Sequence, residues 1–111
     1  QVKGKRPKVP EVDPRTAWER AQRGKAVIVD VREPDEVADI AVPGAITIPL
    51  GQLESQVERI PADREVLFLC RSGNRSAYAT DFYQKHGHNR TANIAGGMLA
   101  WQEARLPTTR G

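Results

Sequence analysis

The one cysteine of the chain, Cys70, opens the run Cys70-Arg71-Ser72-Gly73-Asn74-Arg75-Ser76. A cysteine attacks as its thiolate, a form favoured by positive neighbours and by backbone amides aimed at the sulfur. Arg71 and Arg75 bring two guanidinium groups to either side of Gly73, which favours the thiolate. Gly73 and Asn74 tolerate unusual backbone angles. The successive N–H groups of Arg71, Ser72, Gly73, Asn74, Arg75 and Ser76 are therefore expected to curl into a nest around one anionic centre, the Cys70 sulfur. The predicted chemistry is nucleophilic attack by Cys70 near neutral pH. A lone cysteine at the end of an apolar strand is ordinarily a buried packing residue, but that reading leaves the two arginines without a purpose.

Such a loop works only when rigid elements hold it. Residues 65–70 read as a buried strand and residues 75–86 as a helix whose free amides and positive dipole end face the loop. The carboxyl end of a central strand is where open α/β sheets place ligands. Residues 26–31 repeat the apolar strand pattern, broken only by Asp30. A buried carboxylate there needs a partner, Arg32 or loop amides, so Asp30 and Arg32 are assigned structural support. Shorter strands are expected at 45–48 and 91–95. Asp13 caps a helix over 15–23 with Pro14 at its first position and Gly24 past its end; Trp18 faces the core with Ala17 and Ala21. Further helices are expected at 33–39, 52–59 and 98–104. Alternating strands and helices predict an α/β domain, a central and mostly parallel sheet flanked by helices on both faces. Gly96-Gly97 reads as backbone approaching the loop closely, Met98, Leu99 and Trp101 as packing, and His86 and His88 as helix-end residues rather than metal ligands.

Composition bounds the function. The 111 residues make one domain, and 39% hydrophobic with 28% charged residues is a folded composition. One cysteine excludes an internal disulfide framework and a cysteine-rich zinc site; no metal is expected. No apolar run approaches the ~20 residues that cross a bilayer. Lys and Arg number 17 against 14 Asp and Glu, a net charge of +3. Lys3, Lys5, Arg6 and Lys8 contribute to that excess, so residues 1–10 read as an extended basic arm or linker and 11–111 as the domain. With 5% aromatics and no basic helix face, nucleic-acid binding is not expected. The sequence opens on Gln1, which is compatible with a leader, anchor or further domain upstream; the cytoplasm is the expected location.

Four blocks in order carry a resemblance: Asp30-Val31-Arg32-Glu33 with Glu36; Val42-Pro43-Gly44-Ala45-Ile46 with Ile48-Pro49-Leu50; the loop Cys70 to Ser76; and Gly96-Gly97-Met98 with Ala100-Trp101. From Val12 to Leu106 the chain resembles single-domain members of the rhodanese family of sulfurtransferases. The resemblance implies a rhodanese-like three-layer domain and a reaction in which Cys70 takes the outer sulfur of a donor such as thiosulfate, releases sulfite and carries the sulfur as a persulfide. Arg71 and Arg75 would orient the small anionic donor, and the amides of Arg71 to Ser76 would stabilise the terminal sulfur. No cofactor is implied beyond this covalent intermediate. Four residues separate Cys70 from Arg75, a loop length associated in the family with sulfur transfer rather than with the phosphatase and arsenate-reducing relatives. The chain departs from the family pattern at Val37 and at Ile40-Ala41-Val42, where many members carry an aromatic residue and Gly-His-Ile.

With no second cysteine, Cys70 cannot resolve its own persulfide, so the acceptor is external: thioredoxin, glutathione, cyanide or a partner protein. Two other functions compete. A noncatalytic binding or regulatory module would use the fold as a surface, with Cys70 at most sensing oxidants; a phosphatase or arsenate reductase would act on oxyanions. Oligomeric state is not encoded in any of these motifs.

Overall fold

The computed structural model describes residues 6–110; the basic positions Lys3 and Lys5 lie outside the described residues. Five strands, β1 (Glu11–Val12), β2 (Ala26–Asp30), β3 (Ile46–Thr47), β4 (Glu65–Leu69) and β5 (Thr91–Ile94), form one sheet in the order β1-β5-β4-β2-β3, every pair parallel. The helices are α1 (Pro14–Gln22), α2 (Pro34–Asp39), α3 (Leu53–Gln56), α4 (Asn74–Lys85) and α5 (Gly97–Glu103). The predicted three-layer α/β architecture is the one observed.

Strand alternation sorts the core into two layers. Leu67 and Leu69 of β4 and Ile28 of β2 pack with Ala17, Met98 and Trp101 on the face covered by α1 and α5. Val66, Phe68 and Cys70 point the other way with Val29 and Val31 and pack with Ala79 and Tyr83 of α4 and Leu53 of α3. Period two along β4 thus delivers the Cys70 side chain to the α4 face. Ala26 to Asp30 pair in register with Glu65 to Leu69, which brings the ends of β2 and β4 side by side. From β2 the chain runs outward to β3 and then crosses back to β4, so the sheet reverses direction at these two carboxyl ends, the position where α/β sheets open a crevice.

The α1 start follows from local chemistry: the Asp13 carboxylate accepts from Thr16 N at 2.7 Å, a bond that lowers its pKa, and Pro14 fills the first turn. Gly24, at φ +72°, lets the chain leave the helix. Trp18 meets Trp101 edge to face at 5.8 Å.

One expectation changes, and the start of the chain adds a strand that was not expected. The helix predicted over 52–59 is broken into a 3-10 turn at Leu50–Gln52, the short α3 and a second turn at Val57–Arg59; only Leu53 of α3 is buried, and Pro61 holds Ile60 in extended geometry. The two-residue β1 has too few positions to show alternation in a sequence; it pairs with the β5 edge, Glu11 opposite Asn93. At the end of the expected arm or linker, Pro10 O accepts from Asn93 N at 2.8 Å beside the same edge. Among the described residues no helix is long and apolar enough to cross a membrane.

Candidate active site

Cys70 follows directly after β4 and is buried. Its Sγ accepts a hydrogen bond from Gly73 N at 3.1 Å and lies 3.2 Å from the Ser76 hydroxyl. Gly73 makes this turn possible: it caps α4 at φ +101°, a conformation that costs a residue with a Cβ. The expected ring of amides around Sγ is reduced to one amide and one hydroxyl. Helix geometry explains the difference, because Asn74, Arg75 and Ser76 already form the first turn of α4, whose N–H groups lack carbonyl partners within the helix.

The loop's two arginines have different fates. Arg71 is exposed and lines a cleft of about 450 Å³ with Arg32, Glu36, Met98, Leu99 and Gln102. Arg75, expected to orient a donor, is engaged by Glu36 of α2 through both ends of its guanidinium, Nη1 to Oε1 at 2.7 Å and Nη2 to Oε2 at 2.9 Å. Hydrogen bonding to Arg75 lowers the Glu36 pKa to about 2, and the same pair raises that of Arg75. Glu36 Oε1 also accepts from Glu33 N at 3.0 Å, so one carboxylate closes the first turn of α2 and ties it to the start of α4. Ser72 and Asn74 are exposed on the outer side of the loop.

Asp30 and Arg32 meet as the sequence suggested. Both are buried; Arg32 Nε donates to Asp30 Oδ1 at 3.0 Å and Nη2 to Oδ2 at 2.8 Å. Arg32 Nη2 also reaches Ile40 O at 2.7 Å, securing the end of α2 at the segment where the chain departs from the resembled pattern. Ala41 bonds backbone to backbone with Thr109 there, so the turn is anchored from both sides.

The opposite wall is α5. Met98 N donates to Cys70 O at 2.8 Å and Leu99 N to Arg71 O at 3.1 Å. This approach requires Gly97: a Cβ there would lie 2.5 Å from Cys70 O and 2.6 Å from Arg71 O, and φ is +61°. Met98 and Trp101 are buried as expected, whereas Leu99 is 47% exposed beside Arg71, the one large exposed apolar side chain among the described residues. His86 ends α4 with Nδ1 3.0 Å from Phe82 O, and the His88 ring stacks on Tyr83. Among the described residues no three His, Cys, Asp or Glu side chains converge as a metal site would need.

Sequence reasoning missed Asn93. Fully buried on β5, it receives the Ser76 hydroxyl on Oδ1 at 2.6 Å, while Nδ2 donates to Gly73 O at 3.0 Å and Glu11 Oε2 at 3.1 Å. Glu11 pairs with Arg6, whose Nη1 reaches Asn74 Oδ1 at 3.3 Å. The available signal was the same one that marked Asp30: a polar side chain inside an otherwise apolar buried strand.

The rhodanese-like domain family model matches residues 13–104. A sulfurtransferase of Allochromatium vinosum is 35% identical over 100 residues, covering 89% of this chain and 94% of its own. The thiosulfate:glutathione sulfurtransferase of Homo sapiens is 32% identical over 94 residues, 72% of this chain and 82% of its own. Among solved structures, a rhodanese-related protein from Thermoplasma volcanium superimposes with a TM-score of 0.84 at 26% identity, covering 92% of this chain and 99% of that one.

Proposed function

From the premise that the chain belongs to the rhodanese-like domain family and is a rhodanese-type sulfurtransferase, we propose that it moves the outer sulfur of thiosulfate through a Cys70 persulfide to an external thiol such as glutathione or thioredoxin, or to cyanide. The observation that carries this reading is the buried Cys70 sulfur hydrogen-bonded by Gly73 N and close to the Ser76 hydroxyl, at the foot of a loop that opens straight into α4.

The Cys70 thiolate attacks the outer sulfur, the sulfur–sulfur bond of thiosulfate breaks, and sulfite leaves with the bonding pair. The negative charge now sits on the transferred sulfur, beyond Sγ and near the start of α4, whose first-turn amides have no carbonyl partners of their own. Arg71, exposed on the cleft wall, meets the donor's sulfonate oxygens and the departing sulfite. Arg75 contributes from the side, its guanidinium held in place by Glu36. An acceptor thiolate then attacks the terminal sulfur and returns the Cys70 thiolate, so that no oxidant or reductant enters. The human relative's name gives thiosulfate as donor and glutathione as acceptor, which supports the same pair here.

Intact mass spectrometry of wild type and Cys70→Ser after thiosulfate, without reductant, tests the proposal. Wild type alone should gain one sulfur and lose it to cyanide as thiocyanate. No gain on wild type would refute thiosulfate as donor, and a gain on the serine variant would refute Cys70 as the carrier.

A further inference from the structure

The Ser76 hydroxyl has one proton and two acceptors, Asn93 Oδ1 at 2.6 Å and Cys70 Sγ at 3.2 Å. The Asn93 amide has one possible orientation. Its Nδ2 serves Gly73 O and Glu11 Oε2, and turning it over would set Oδ1 against a carbonyl and a carboxylate. When Cys70 is a thiol, its proton goes to Ser76 Oγ and the Ser76 proton to Asn93, so every acceptor is served. When the sulfur is anionic, it is the stronger acceptor and draws the Ser76 proton. Asn93 Oδ1, completely buried, is then left without a donor. Once the charge has moved to a transferred sulfur, Sγ is neutral and the Ser76 proton can return to Asn93.

We propose that Asn93 is a positioning residue that acts through Ser76 to disfavour the bare Cys70 thiolate relative to the thiol and to the sulfur-loaded form. The loaded half of this statement rests on the sulfur-transfer reading; the thiol half does not.

Two measurements separate the halves. The first is the rate of Cys70 alkylation by iodoacetamide against pH. In Asn93→Ala the Ser76 proton belongs to the sulfur alone, and the midpoint of the profile should move down by about one unit, a tenfold change in the thiol-to-thiolate ratio. Ser76→Ala should move it up, and adding Asn93→Ala to Ser76→Ala should change nothing further. The charged groups around the loop, Arg71, Arg75 with Glu36, Asp30 with Arg32, and Glu11 with Arg6, are present in every variant, so the difference belongs to the relay. A purely structural Asn93 would alter rates at all pH values, leave the midpoint in place and act equally without Ser76; that result overturns the proposal. Asn93→Ser, a small polar side chain that also lacks the Oδ1 acceptor, repeats the test if the alanine variant does not fold.

The second measurement is the persulfide fraction, by intact mass, at a fixed thiosulfate-to-sulfite ratio and at a pH above the alkylation midpoints of both proteins, where the unloaded form is thiolate. Asn93→Ala should load severalfold less than wild type, and equal loading overturns the loaded half. If wild type takes up no sulfur at all, the transfer reading fails while the alkylation result stands on its own.

Discussion

Replacing Glu36 by glutamine should weaken the fold in a way that depends on pH. Glutamine keeps an oxygen for Glu33 N and Arg75 Nη1, but removes the charge and sets an amide NH2 where Oε2 accepted from Arg75 Nη2. The Glu36 pKa falls from 4.5 to about 2 because Arg75 hydrogen-bonds its carboxylate. A shift of that size corresponds to about 3 kcal/mol at most. The two side chains keep 35% and 27% of their surface in water, and solvent screening reduces the expectation to about 1–2 kcal/mol at pH 7. The folded pKa is the lower one, so the stabilisation is complete above 4.5 and disappears as pH falls toward 2. For a screened contribution of that size, about half should remain at pH 4 and about a tenth to a fifth at pH 3. Urea denaturation of wild type and Glu36→Gln at pH 7, 5, 4 and 3 reads the difference directly, since effects common to both chains cancel. A difference that stays constant down to pH 3 would mean that shape rather than charge makes the contact, and no difference at pH 7 would mean that the pair contributes nothing to stability.

Arg32→Met leaves Asp30 charged and buried and strips Ile40 O of its donor; urea titration should show a loss of about 3–5 kcal/mol. Adding Asp30→Leu should recover most of it, and a double variant as unstable as the single would refute the buried-charge explanation. Gly97→Ala forces a Cβ against Cys70 O and Arg71 O; it should cost about 3 kcal/mol and depress sulfur uptake, measured by denaturation and intact mass. Gly24→Ala, with a similar φ but nothing within 4 Å of the added Cβ, should cost only about 1 kcal/mol. Equal effects at the two glycines would show that the Gly97 requirement is conformational and not one of space.

The nucleophile, its loop and the elements around it were legible because each is written in neighbouring residues. Apolar, β-branched-rich runs at 26–31 and 65–70 read as buried strands, Asp13-Pro14 as a helix start, and Cys70 as a strand end, and the structure has each of them. Even Asp30 with Arg32 could be read locally, two residues apart on one strand parity. The edge strand β1 and the broken turns of 50–59 were not legible: pairing with β5 dictates the one, and sparse burial before Pro61 the other. The partners of the loop's polar groups were equally hidden. Arg75 finds Glu36 across 39 residues, and Asn93 finds Ser76 across 17. A buried polar atom must be satisfied, but which group satisfies it depends on what parallel strand register and helix packing bring within about 3 Å. The amino-acid order determined that Cys70 would be presented at the carboxyl end of a buried strand; only the tertiary structure decided that this end lies where the strand order reverses, that one arginine would be held by a glutamate and that the sulfur would share a proton with a buried asparagine.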